Sequence, residues 1–458
     1  MRQKQRSRPL LVGPSPEVLK AIRAEMKKRG FTTRDRRLAS VTSNLAIEPV
    51  GTPGLNEGIF YPEDALPRAV SRAGLAPSLA VRSRPTTGSL RLLILLVDFA
   101  DNKGTRNPND YKNMLFSQGT YPTGSMRDFY KENSYSQLDI DGDVIGWLRL
   151  PQKYSYYVNG QSGTGDQPPN AQTMVEDALN VAIANGVNFG QFDSDGDGYI
   201  DGLFVVHAGG GAEADPNPTT RTQKIWSHQW SITQPITSNG KTAYSYLTIP
   251  EDARVGVCCH EFGHMLGLPD LYDTDYHSEG VGMWCVMGAG SWNNGGLTPS
   301  HFCAWSKAKL GWIKPTVVKK AKTLTLPAIE QNKGSVYRLW TKGKAGNEYY
   351  LVENRQRVGF DSKLPTDGLL IWHINDAEHN NNHPGHYWVG LDQADGKNDL
   401  ELGRNRGDTG DPYPGSANAK KFDATSTPNS NDQLGNPTSV AVTNIAVTNG
   451  VVNCKVKV

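Results

Sequence analysis

From His260 the chain reads His-Glu-Phe-Gly-His-Met-Leu-Gly-Leu-Pro-Asp, ending at Asp270. Residues four apart on a helix share a face, one turn or roughly 6 Å from each other. A helix here therefore puts the imidazoles of His260 and His264 where both can hold one metal ion. Glu261 adjoins the first histidine, rotated by roughly 100° about the axis, so its carboxylate can reach toward a water at that metal, where a general base belongs. A catalytic zinc keeps three protein ligands and leaves the fourth position to water. Two residues compete for the third place. Gly267 is suited to stop the helix with a positive φ, after which the chain, stiffened by Pro269, returns with Asp270 toward the histidines. The other candidate, Glu279, sits in Tyr276–Gly282, which reads as a loop. The glycine stop favours Asp270.

Upstream, Asp193, Asp195, Asp197 and Asp201, with Gly198 in the sharp turn, reproduce the first nine positions of a calcium-binding loop in which Tyr199 offers its backbone carbonyl. Hard oxygen donors on alternate residues suit calcium rather than zinc. The bidentate glutamate of position twelve is replaced by Phe204, and Leu203-Phe204-Val205-Val206 reads as a buried strand. The expectation is a structural calcium outside an EF-hand.

With 458 residues the chain is long enough for about three ordinary domains. Its 48 basic and 46 acidic residues nearly balance, so nothing in the overall charge argues for nucleic acid. The asymmetry is local: residues 1 to 40 hold 12 Lys and Arg against Glu17, Glu25 and Asp35, a pattern more common for a solvated face than for a binding arm. No apolar run approaches the ~18 residues that cross a membrane. No secretory apolar region is visible either, because Leu10-Leu11-Val12 is ended at once by Gly13 and Pro14.

Ser15 as cap, Pro16 at the first position, Leu19, Ile22 and Met26 on one face and Gly30 as stop predict a helix over 15–30. From about 40 to 88 the Pro, Ala, Ser and Gly content reads as a linker or pro-region. Leu90 to Phe99 is a continuous apolar run, best read as a buried strand opening the next domain. Helices are predicted near 123–133 and 171–185, a strand at 200–208 and the histidine helix at 255–266. Beyond 315 the alternation in Thr323-Leu324-Thr325-Leu326 and Tyr349-Tyr350-Leu351-Val352 suggests a β-rich second domain. The expected domains are thus 1–87, 88–315 and 316–458. The glycines after His207 read as an ordinary loop, since the Lys-Ser/Thr ending of a phosphate loop is absent. No Gly-x-Ser-x-Gly elbow is present.

The histidine motif, together with Val286-Met287-Gly288-Ala289-Gly290-Ser291-Trp292, resembles the immune inhibitor A family of secreted bacterial metallopeptidases, relatives of the metzincins. The likeness extends to Phe192–Gly202, Leu351–Arg355 and Gly368–His373. It implies an α+β fold: a metzincin-like zinc protease domain with a mixed sheet and an active-site helix, followed by a β-rich, sandwich-like domain. It further implies zinc on His260, His264 and Asp270, Glu261 as base, and Met287 in a tight turn as an apolar floor rather than a ligand. The expected activity is zinc-dependent endoproteolysis of protein or peptide substrates by a secreted enzyme. The rival readings are a zinc amidase or esterase, and a catalytically idle binding protein. Of the cysteines, Cys258 and Cys259 adjoin the histidine helix and Cys285 adjoins the methionine turn, so a bridge between them would staple the site. Cys303 and Cys454 complete an odd count of five.

Overall fold

The computed structural model describes residues 9–28 and 86–458. By compactness the chain divides into two units: Met1–Tyr130 with Leu138–Pro269, and Lys131–Gln137 with Asp270–Val458. Both combine helices with strands, a mixed α/β architecture.

The first unit is built on a six-stranded sheet of β1 (Leu10–Leu11), β2 (Gly88–Asp98), β3 (Leu138–Arg149), β4 (Leu203–His207), β5 (His228–Ser238) and β6 (Lys241–Pro250), in the order β1-β5-β6-β4-β2-β3. The apolar run becomes β2, whose residues Leu92 to Val97 are wholly buried. It lies parallel to β3 and β4, as expected of a strand covered on both faces. β4 also pairs parallel with β6, whereas β5 runs antiparallel to β6. The helix Ala171–Ala184 starts at Asn170, whose side chain accepts the N–H groups of Gln172 and Thr173, and Gly186 beyond its end has φ 81°. Its buried Met174, Val175, Ala178 and Leu179 join Leu93, Leu95 and Val205 in one core.

The N-terminal helix forms as predicted from Pro16, with Ser15 Oγ accepting the Val18 N–H at 3.4 Å and Val18, Leu19, Ile22 and Met26 buried. Its expected glycine stop at Gly30 and the linker over 40–85 lie outside the described residues. What sequence did not announce is β1. Leu10 and Leu11 pair antiparallel with Gln229 and His228 on the free edge of β5, and Val12 donates to Ser227 O at 3.1 Å while accepting from Trp226 Nε1 at 2.8 Å. Leu10 and Leu11, read in the sequence only as a short apolar run, are a strand of the first unit.

The second unit holds β7 (Thr316–Val317), β8 (Lys322–Leu326), β9 (Tyr337–Leu339), β10 (Glu348–Arg355), β11 (Gly368–Asn375), β12 (Val389–Leu391), β13 (Lys421–Phe422), β14 (Ala441–Thr448) and β15 (Val451–Lys457). They form one sheet of order β12-β11-β10-β9-β7 and another of order β13-β14-β15-β8. Tyr350, Val352, Leu369 and Ile371 of the first sheet and Leu324, Leu326, Val442, Val452 and Val456 of the second belong to a single apolar cluster.

Two histidines of the first sheet are wholly buried. His207 ends β4 with Nδ1 against Ala208 O at 3.0 Å. His228 opens β5, donating from Nδ1 to Trp226 O at 2.7 Å and accepting the Tyr246 hydroxyl at Nε2 at 3.0 Å. Burial pushes both pKa values down to about 4. Because the folded value is depressed, the unfolded chain takes up these protons first, and the stabilising contribution is complete above about pH 6.5 and declines as pH falls toward 4. Each histidine is expected to contribute on the order of 3 kcal/mol over that interval. Melting temperatures at a series of pH values should therefore fall more steeply below pH 6.5 in the wild type than in His228→Gln; parallel curves would refute this. Glu213, raised to about 7 by burial, has the opposite sign, which is why the comparison with the variant is needed.

Candidate metal centre

The helix carrying the histidines spans Val255–Met265, and every residue in it is buried. The helix is thus buried on every face, its two histidines and its glutamate included, and its surroundings hold it at fixed rotation. The Tyr130 hydroxyl donates to Cys259 O at 2.6 Å, the Tyr130 ring meets Phe262 edge-on at 5.0 Å, and Phe204 of β4 lies 6.0 Å from the same phenylalanine. These contacts grip the helix at the residues flanking His260 and Glu261.

The helix ends as the sequence predicts. Gly267 has φ 96°, its N–H donates to His264 O at 2.9 Å, and the Leu268 N–H donates to Gly263 O at 3.1 Å. That pair of bonds is a Schellman motif, which requires a residue at ease in the left-handed region. The reversal carries the Leu268 carbonyl back under His264, where it lies 2.8 Å from Nδ1. A carbonyl only accepts, so Nδ1 donates to it and Nε2 is left to face outward. It points at His260 Nε2, 3.0 Å away, with the rings nearly perpendicular at 87°. A carboxylate oxygen of Asp270 completes the group, all three donor atoms lying within 4.8 Å of one another.

Two converging ring nitrogens and a carboxylate oxygen, all on buried residues, fit the donor set and count of a zinc site with one open position. The second contact of His264, to a backbone carbonyl, is the kind of outer partner that sets a ligand's tautomer. Glu261 is wholly buried beside His260. The other candidate, Glu279, is not among these converging donors; the guanidinium Nε of Arg406 lies 3.4 Å from its carboxylate. Met287 is buried, and its carbonyl accepts the Leu271 N–H at 2.9 Å, one residue beyond Asp270.

The acidic turn is more divided. Carboxylate oxygens of Asp193, Asp195 and Asp197 converge within the same limit, whereas Asp201 turns its carboxylate to the Ser194 N–H at 2.7 Å and does not join them. Tyr199 contributes an N–H to Asp197 Oδ1 at 2.8 Å. Asp193 accepts the N–H groups of Gly196, Asp197 and Gly198, and its Oδ2 also receives the ammonium of Lys241. Burial alone would raise its pKa, but Lys241 and these N–H groups outweigh that and hold it below the usual range. A covalently attached cation thus stands against the loop's first aspartate. Sequence reasoning missed it because Lys241 opens β6, 48 positions away.

A third convergence, Asp273, Asp275 and His277, was also not foreseen. Asp273 is committed to its own turn, accepting from the Asp275 N–H and from both the N–H and hydroxyl of Ser278 at 2.8–2.9 Å. The expected bridge from Cys258 or Cys259 to Cys285 is absent: all five cysteines are free and buried. Cys285 Sγ instead accepts the Cys303 N–H at 3.3 Å. Among the described residues no helix is long and apolar enough to cross a membrane.

Residues 86–314 match the family model for the catalytic domain of the immune inhibitor A peptidases, M6. The chain is 33% identical over 288 residues to Immune inhibitor A of Bacillus thuringiensis subsp. alesti, covering 51% of this chain and 42% of that protein. It is also 33% identical over 268 residues to Pre-pro-metalloprotease PrtV of Vibrio cholerae serotype O1, covering 47% and 29% respectively. The matched region thus spans less than half the length of either relative.

Proposed function

Since this chain belongs to the immune inhibitor A family of M6 peptidases, we propose that it is a zinc-dependent endopeptidase that hydrolyses peptide bonds in proteins. The observation that carries the zinc reading is the Nε2-to-Nε2 approach of His260 and His264 with Asp270 beside them, on a histidine whose tautomer is set by Leu268 O. His260, His264 and Asp270 would hold the ion. Zinc, when bound, supplies a Lewis acid that polarises the scissile carbonyl and brings the pKa of water to roughly 7. Glu261 then has the chain's own part of the chemistry: its carboxylate takes the proton of the attacking water and returns it to the departing amine. Burial keeps bulk water from competing for that proton. Met287 serves as floor, and its support is the hydrogen bond to the residue after Asp270.

The metzincin-like character of the first unit belongs to the same reading, supported by its mixed sheet above a buried histidine helix. So does the sandwich-like character of the second, supported by two sheets sharing one apolar cluster. The domain limits 1–87, 88–315 and 316–458 and export from the cell stand as part of the proposal on family likeness. Calcium at Asp193, Asp195 and Asp197 belongs to the same reading, the ion taking the place that the Lys241 ammonium holds on Asp193.

Elemental analysis of the purified chain beside Asp270→Ala tests both metals. One zinc per wild-type chain is expected, with most of it lost in the variant and proteolysis lost with it. Undiminished zinc in Asp270→Ala would remove that residue from the site, and wild-type protein without calcium after dialysis in its presence would remove the acidic turn.

A further inference from the structure

The residue that follows the third ligand is held more firmly than a loop residue needs to be. Leu271 donates its N–H to Met287 O at 2.9 Å, and its carbonyl accepts the Val281 N–H at 3.0 Å and Asn381 Nδ2 at 2.8 Å. Asn381 is wholly buried. Its amide also donates to Val389 O at 2.8 Å and its carbonyl oxygen accepts the Val389 N–H at 3.1 Å, so the side chain is clamped on the backbone of β12. The next residue repeats the grip. Asn382 Oδ1 accepts the N–H and hydroxyl of Thr274, each at 3.1 Å, and its Nδ2 donates to Thr274 Oγ1 at 2.8 Å. Asn380 closes the set by accepting the Asn382 N–H at Oδ1, 3.0 Å away.

We propose that Asn381, assisted by Asn382, is a positioning residue for the metal centre: the asparagine run between β11 and β12 fixes the segment Leu271–Thr274 and thereby the place of Asp270. The physical reason is specific. The reversal at Gly267 brings Asp270 toward the histidines, but a single Schellman turn constrains only the first residues after the helix. A residue held at both its N–H and its C=O fixes the peptide planes on either side of it and leaves the preceding residue little freedom to rotate away. Partners behind metal ligands are typically worth 10- to 100-fold in metal affinity. Asparagine is suited to the task because one amide offers two donors and an acceptor in a plane.

The proposal rests on the zinc reading above, and the test separates the two. Zinc affinity is measured by chelator competition on the full chain, well below the melting temperature, for wild type, Asn381→Leu and Asn354→Leu. Asn354 is the matched control: wholly buried in the same unit, its Nδ2 donates to Leu326 O and Gly450 O, each at 2.8 Å, and none of these residues adjoins a proposed ligand. Both variants should melt lower than wild type. Only Asn381→Leu should bind zinc at least tenfold more weakly, and the melting shift on adding zinc should shrink for it alone. Should Asn381→Leu fail to fold, Asn382→Ala, whose side chain is only part-buried, is expected to lose severalfold. Zinc affinity within twofold of wild type in whichever of the two variants folds would overturn the positioning role, as would equal losses in Asn381→Leu and Asn354→Leu. A wild-type chain that binds no zinc would overturn the zinc reading and this proposal with it.

Discussion

Glu261→Gln is expected to reduce kcat/KM on an unfolded protein substrate by about a thousandfold, within the range for removal of a general base, while leaving zinc content unchanged. The amide matches the carboxylate in shape, so the histidine helix should keep its packing against Tyr130 and Phe204. What the amide lacks is a site basic enough to hold a proton between attack and departure of the amine. Glu261 is wholly buried, and because the amide fills the same space the variant should melt close to wild type. Three readings on one preparation check the point: kcat/KM, zinc per chain and melting temperature. Full chelator-sensitive proteolysis by the variant would rule out the assigned base, and loss of zinc would show that Glu261 acts on the metal rather than on the proton.

Arg355→Met is expected to be the most damaging substitution to stability. Arg355 is wholly buried at the end of β10, donating to Asp361 from Nε at 2.7 Å and from Nη2 at 2.6 Å, and to Trp284 O from Nη1 at 3.0 Å. Glu353 and Glu330 approach it at 3.5 and 3.4 Å. Burial would raise the Asp361 pKa, yet Arg355 holds it far below the carboxylate range, whereas burial and the charge of Asp361 push Glu330 up to about 9. At neutral pH Glu330 is therefore protonated and Asp361 charged. Removing the guanidinium strands that charge in the interior, a loss of roughly 3–5 kcal/mol, or roughly 10 °C in melting temperature for a unit of this size. The double variant Arg355→Met with Asp361→Leu should recover much of the loss, since an apolar pair can replace a buried ion pair. A single variant melting within 2 °C of wild type, in a scan calibrated on the pair, would contradict this account.

The two effects are connected through the backbone. Asp361 Oδ1 accepts the His301 N–H at 2.9 Å, His301 O accepts the Val286 N–H at 3.3 Å, and Met287 then holds Leu271. The methionine turn is thus tied to the ion pair at one end and to the segment after Asp270 at the other.

Legibility in the sequence followed contact range. The histidine helix and its stop at Gly267 are set by bonds spanning five residues or fewer, and both were readable from residue types alone. So was β2, because a long apolar run has few other uses. The acidic turn was half readable: its spacing shows three converging carboxylates, but not the ammonium that β6 brings to them. Asn380-Asn381-Asn382 looks like an ordinary polar loop, and its meaning depends on Leu271, 110 positions earlier. Proximity in sequence misled in one case. Cysteines adjoining the helix and the turn suggested a bridge, yet each thiol is buried and unbridged. The N-terminal segment failed for another reason: a two-residue strand carries no periodicity, and only its partner strand defines it.

That strand has a consequence for anything that cuts the chain after it. In the order β1-β5-β6-β4-β2-β3, four strand spacings, roughly 19 Å, separate β1 at Leu10–Leu11 from β2 at Gly88–Asp98. A covalent link between two segments sets an effective concentration that is lost when the link is cut. Severing it would leave Leu10–Val12 and the N-terminal helix in place by their hydrogen bonds and buried faces alone. Their retention would then become a bimolecular equilibrium, complete in a concentrated sample and lost on dilution.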